Sequence, residues 1–240
     1  MKKEPTFLNS LLFPLVLLLV IWIVFYIDQH LKLQAFQYGL IPRELSGLKG
    51  ILTMPFIHGD VIHILSNTFP FLILATMLQY NYAELSKSVM LGIYLISGFL
   101  VWCFADLDSL NFNSKSFHIG ASGIVYGLSG FLFFSGIIRK RKELFAISLL
   151  VTFLYGTIIW GVFPEKFQKA IHYIPKTEKV SWEGHLFGFL SGVFLAFIYR
   201  KKGKQRPSYS WDINNDEDVD DSNPYWMVDE NEEKDEQKNT

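Results

Sequence analysis

The chain has 240 residues, half of them hydrophobic and 16% aromatic, with 22 Lys and Arg against 23 Asp and Glu for a formal charge of −1. The balance is uneven: residues 207–240 hold 12 carboxylates and 2 lysines, and residues 1–206 hold 20 basic and 11 acidic groups. The acidic end has too little apolar surface to offset ordering entropy and is expected to be a disordered tail, while the remainder is too apolar, in runs too long, for a water-soluble core.

A membrane helix needs about 20 mostly apolar residues. The first such run is Leu8–Ile27, preceded by Lys2 and Lys3. A signal peptide would have the same outline, but no small-residue cleavage pattern follows and further runs do, which favours a retained span. Later runs fall at Phe56–Gln79, Ser88–Ala105, Ser122–Ile138, Leu144–Phe163 and Trp182–Tyr199. The expected fold is therefore all-α: a polytopic membrane bundle of six transmembrane helices over residues 1–206, followed by the acidic tail at 207–240. The single cysteine, Cys103, lies within an apolar run, excludes an intrachain disulfide, and reads as a buried small hydrophobe.

Short basic loops orient such a bundle. Arg139–Lys142 joins the fourth and fifth spans, Arg200–Lys202 follows the sixth, and Lys2 and Lys3 precede the first. Six spans put all three clusters on one side, which predicts cytoplasmic N- and C-termini. Residues 28–55, 106–118 and 164–181 then face outward, the last with four lysines that weaken the bias without reversing it.

Polar residues inside these spans carry a cost and need a reason. In the second span His63 and Asn67 are four apart and share a helix face. In the fourth, Gly120-Ala121-Ser122-Gly123 leads to Tyr126, one turn beyond Ser122. The sixth opens with Gly184-His185 and continues through Gly188 and Gly192. Spans two, four and six run in the same direction, so His63, Asn67, Ser122 and His185 fall at similar depth on the outer side. Gly123 with Gly127, and Gly184 with Gly188 and Gly192, form small-residue faces that let helix backbones approach closely. If those faces meet, Ser122 and His185 come within reach of each other.

A serine hydroxyl becomes a nucleophile when a base takes its proton, and neutral histidine is such a base. The oxyanion formed in acyl transfer needs donors already in position, for which His63, Asn67 and the Ser122 backbone N–H are suitable. Glu183, two residues before His185, is turned away on the helix, so a Ser–His dyad is expected rather than a triad. Tyr126 is placed to orient the imidazole by stacking. The plainer alternative for each intramembrane histidine is a hydrogen bond that bridges helices.

Gly-Ala-Ser122-Gly with Tyr126, Gly184-His185-x-x-Gly188-x-x-x-Gly192, and His58-x4-His63-x3-Asn67 together resemble the rhomboid family of intramembrane serine proteases. The outer segment from Tyr38 through Arg43 and on to Phe56 looks like that of bacterial members, and the resemblance covers residues 8 to 200. It implies Ser122 as nucleophile, His185 as general base, and His63 and Asn67 with the Ser122 amide as oxyanion hole. Tyr126 would support His185, Gly120 would give backbone room beside the nucleophile, and His58 would be structural. It further implies transmembrane protein substrates in a lipid bilayer, cleaved near its outer face. They would enter through a gate by the fifth span, where Trp160 and Phe163 lie. No cofactor, metal or nucleic-acid partner is expected, and the expected location is a bacterial cytoplasmic membrane.

The sequence departs from some bacterial members in one place: residues 28–55 contain no Trp for the Trp-Arg pair of their first outer loop. Asp106 and Asp108 read as interface markers, and His172 and Tyr173 as solvated loop residues. Two other function classes fit less of the pattern. A non-catalytic rhomboid-like protein that binds transmembrane clients would usually lack the Ser or the His. A proton-relay transporter would need a polar path to the inner side, where these spans are largely apolar.

Overall fold

The computed structural model describes residues 6–106, 116–146, 149, 181–203 and 205. Among them run five long helices: α1 (Phe7–Leu31), α3 (Val61–Asn81), α4 (Ala83–Phe104), α5 (Ser122–Ile138) and α6 (Trp182–Ile198). A single turn, α2 (Gly50–Thr53), lies in the segment between α1 and α3. The fold is an all-α membrane bundle. Helices α1, α3 and α4 are long and apolar enough to cross a bilayer. At 17 residues each, α5 and α6 stand at the short end of what spans it, about 26 Å of helix. Most of the fifth predicted span, with Trp160 and Phe163, lies outside the described residues. So do Asp108, His172, Tyr173 and residues 207–240.

Local chemistry sets where the helices begin. Asp60 caps α3 by accepting from the His63 N–H at 2.8 Å, and Ser181 caps α6 by accepting from the Gly184 N–H at 3.1 Å. The second span therefore starts at Val61 and not at Phe56. The apolar stretch before it forms α2 and a 3-10 turn at Met54–Phe56, with Met54 and Pro55 buried. Helix α1 ends at Lys32 in a left-handed conformation (φ 51°), which releases the chain into the segment leading to α3.

Contacts between helices fix their directions. Trp22 on α1 donates to Thr68 on α3 at 3.2 Å, and Phe7 packs on Tyr80 with ring centroids 6.4 Å apart, so α1 and α3 are antiparallel. Phe104 lies against Phe187 with centroids 6.1 Å apart, which sets the end of α4 beside the start of α6. Helix α5 is buried along nearly its whole length, and its core partners include Leu74, Leu78, Val89 and Ile93. Leucine and phenylalanine side chains such as Leu12 and Leu19 on α1, Leu91 and Phe99 on α4, and Phe194 on α6 are exposed. Bilayer hydrocarbon is the medium in which such faces are stable.

Arg139, Arg141, Tyr199 and Lys202 gather at one end of the bundle. Arg139 is buried, lies over the Tyr82 ring at 4.9 Å, and donates to the carbonyls of Tyr199 and Lys202. Arg141 donates to Asn81 at 3.0 Å. The starts of α3, α5 and α6 lie at the opposite end.

Cys103 departs from expectation, since it is only partly buried on α4. An apolar residue in a membrane helix satisfies lipid and protein alike, so hydrophobicity alone does not decide which it faces.

Candidate active site

Helices α5 and α6 run parallel with their glycine faces in contact. An ideal Cβ at Gly123 would stand 3.2 Å from the Gly184 carbonyl oxygen, and one at Gly127 would stand 3.0 Å from that of Gly188. Cβ atoms at Gly188 and Gly192 would collide with the carbonyls of Gly123 and Gly127. The seam sets the start of α5 beside the first turn of α6, where Ser122 precedes Gly123 and His185 follows Gly184. The Tyr126 ring stacks on the His185 imidazole, with centroids 4.1 Å apart and planes 10° from parallel. His185 and Tyr126 are both buried, and Ser122 is half-buried.

Ser122 is the first residue of α5, and Ala121 before it supplies no side-chain cap. The amides at such a start have no partner within the helix and point toward whatever negative charge arrives. Gly120 has a φ of +107°, a left-handed conformation that side chains rarely adopt. A Cβ there would lie 2.6 Å from His63 Nε2 and 3.8 Å from Asn67 Nδ2. His63 and Asn67 on α3 thus meet the chain at the entry to α5.

His58 joins them as a buried acceptor. Its Nε2 lies 3.2 Å from Asn67 Nδ2 and 3.4 Å from the Ala121 N–H. One nitrogen facing two donors carries no proton, so the ring is the neutral Nδ1–H form. Asn67 also donates to the His63 carbonyl at 3.1 Å. Both of its N–H groups are engaged, and an oxyanion would receive one by sharing it. His63 packs edge-on against His58, with centroids 5.0 Å apart.

The segment before α3 holds the entry to α5 through the backbone. Leu40 and His118 exchange N–H···O bonds of 2.9 and 3.0 Å, and the Gly120 N–H donates to the Met54 carbonyl at 2.8 Å. That segment is anchored to α4 without a Trp of its own. Trp102 on α4 donates its indole N–H to the Glu44 carbonyl at 2.8 Å, and Arg43 donates to the carbonyls of Ala105 and Asp106.

The Asp106 carboxylate accepts from His118 Nε2 at 3.2 Å and from Ser116. The hydrogen bond from His118 holds that carboxyl below the usual carboxylate range. Glu183, as expected, turns away from His185, and its Oε1 accepts from the Asp106 N–H at 3.4 Å. His118 and Ser181 carry no local motif. Ser181 ahead of Trp182, with an acid in the first turn, is legible as an N-cap, but its partner lies 63 residues away. Among the described residues no group of His, Cys, Asp and Glu has the arrangement of a metal site.

Residues 46–202 match the rhomboid domain. The chain belongs to the rhomboid family. An uncharacterized protein of Mycobacterium tuberculosis is 30% identical to it over 181 residues, covering 75% of this chain and 70% of the mycobacterial one. RHOMBOID-like protein 1 of Arabidopsis thaliana is 25% identical over 161 residues, 67% of this chain and 36% of the plant protein. RHOMBOID-like protein 6, mitochondrial, of the same plant is 27% identical over 148 residues, 62% and 42% of the respective chains. The rhomboid match takes in α3 to α6 and every candidate residue named above. The close approach of Gly120 to His63 can be checked by substitution. Gly120→Ala combines an unfavourable φ with a methyl pressed on His63, and is expected to lower turnover on the order of 10²-fold, as the loss of one oxyanion donor does. Comparing kcat at matched folded fraction checks it; a kcat within twofold of wild type would remove His63 from the reaction.

Proposed function

We propose that this rhomboid is an intramembrane serine endopeptidase that cleaves transmembrane protein substrates near the outer face of the bilayer. The observation that carries the reading is the stacking of Tyr126 on His185 across the glycine seam that begins beside Ser122. In this reading neutral His185 accepts the Ser122 hydroxyl proton as Oγ attacks the scissile carbonyl, then returns it to the leaving amine. The tetrahedral oxyanion is received by the Ser122 N–H, His63 and Asn67, with His58 holding Asn67 and the Ala121 amide in place. Water completes the second half-reaction. Chemistry of this kind uses this chain's groups, the substrate and one water molecule.

The basic end carries Arg139 and Arg141 and lies opposite the candidate site, which is the arrangement expected of a site facing outward with both termini cytoplasmic. A bacterial cytoplasmic membrane is the proposed location. The catalytic unit is assigned to residues 1–206, and the acidic residues 207–240 take no part in the chemistry.

Labelling with a serine-reactive fluorophosphonate in detergent tests the reading. Wild type is expected to label, while Ser122→Ala and His185→Ala do not. Equal labelling of all three would leave a non-catalytic membrane protein that binds transmembrane clients as the better account.

A further inference from the structure

His118 occupies a position that the dyad chemistry does not use. Its side chain is buried, with 8% of its surface exposed. Its Nδ1 lies 2.7 Å from Ser181 Oγ, and its Nε2 lies 3.2 Å from Asp106 Oδ2 and 3.4 Å from Ser116 Oγ. The carboxylate accepts, so the ring proton sits on Nε2. Nδ1 is hydrogen-bonded to the Ser181 hydroxyl. The same Ser181 oxygen accepts from the Gly184 N–H at 3.1 Å, which makes it the cap of α6. One imidazole therefore ties the end of α4 to the first turn of α6, four residues before His185. Its own backbone is paired with Leu40, and two residues later the Gly120 N–H is bound to the Met54 carbonyl. The chain then enters α5 at Ser122.

The glycine seam sets how closely α5 and α6 approach. The axial position of the α6 start relative to the α5 start is held at this second place, where the chain entering α5 touches the cap of α6 directly. Resting on the protease reading above, we propose that His118 is a positioning residue, which through Ser181 fixes His185 relative to Ser122. Asp106 supports the arrangement by holding the ring proton on Nε2. Its lowered pKa, caused first by the His118 hydrogen bond, keeps it a carboxylate through the neutral and mildly acid range. Arg43 and Glu183 fasten the Asp106 backbone from either side.

The test uses the full chain in detergent with a single-span reporter substrate, and measures kcat, KM and thermal midpoint. His118→Ala is expected to lower kcat about tenfold to a hundredfold, the range for a reacting group displaced by a fraction of an ångström to an ångström. KM is expected to stay within about twofold, because the substrate-facing groups are untouched. His118→Gln presents a donor and an acceptor on one planar group and is expected to recover most of kcat. Ser181→Gly keeps an acceptable N-cap, since glycine is tolerated at that position. It loses the hydroxyl and is expected to match His118→Ala, with the double variant no worse than either single.

Wild-type kcat in folded His118→Ala or Ser181→Gly would overturn the proposal. So would a loss that appears in KM alone, or a folded His118→Gln as slow as His118→Ala. Ser122→Ala run in parallel separates the two levels. If it is inactive and His118→Ala is fully active, only the positioning role fails. If it cleaves as fast as wild type, the protease reading fails and the positioning role with it.

Discussion

A His185→Ala variant is expected to turn over substrate slower by on the order of 10⁴-fold or more, with its thermal midpoint changed far less. Ser122 Oγ at neutral pH is overwhelmingly protonated and weak as a nucleophile. Removing the base leaves only binding and oxyanion stabilisation, and in serine hydrolases that remainder falls several orders of magnitude short of the full rate. Ser122→Ala should cost about as much. In the proposed reading the pair acts as a unit, so the double variant should lose no more than either single. Additive losses would indicate two independent roles and would remove the dyad. Tyr126→Phe offers a companion measurement: it keeps the ring stacked on His185 at 4.1 Å and should preserve most of kcat, whereas Tyr126→Ala removes the stack and should not. The stack restricts imidazole rotation, which matters for a base that must meet a hydroxyl on one side and a leaving amine afterwards.

The second large effect concerns the seam itself. Gly192→Leu is expected to destabilise the protein by about 3 kcal/mol or more, and to abolish activity as a consequence. A Cβ at Gly192 collides with the Gly127 carbonyl and would lie 2.9 Å from the Phe131 N–H nitrogen. Both are backbone atoms and cannot rotate away, so the helices must part, and overpacking of this kind costs at the upper end of its usual range. In a bilayer no solvent-driven term compensates, because lipid tails are as apolar as the residues they would replace. Phe194→Leu, on the lipid-facing side of the same helix at 55% exposure, should shift stability within about 0.5 kcal/mol. Equal midpoints for Gly192→Leu and Phe194→Leu would show that the seam does not hold the bundle together.

Several of these features are visible in the chain before any coordinates. The four-residue spacing of His63 and Asn67, and the Gly188–Gly192 face beside His185, follow from helical periodicity. Common depth at one end followed from counting spans and reading the basic loops, and the structure indeed gathers those residues opposite Arg139 and Arg141. Other features were misread for identifiable reasons. The apolar stretch at Phe56 looked like helix because hydropathy does not register the cap at Asp60. Cys103 looked buried because lipid and protein interior reward the same side chains. The bond between Asp106 and His118, 12 residues apart, has no local signature at all.

The sequence by itself determined that the chain is built of apolar membrane helices, which end is basic, and which faces of α5 and α6 carry no side chain. Those properties depend on local composition and on a period of 3.6 residues, and both are written in consecutive residues. Only the tertiary structure decided that His58 binds Asn67 and the Ala121 amide, and that His118 joins Asp106 to Ser181. The bond from Trp102 of α4 to the Glu44 carbonyl was likewise decided only there. Each of these is a directional bond between groups far apart in the chain, formed where membrane helices end and backbone amides must find partners. The sequence lists such groups, and folding chooses among the pairs they can make.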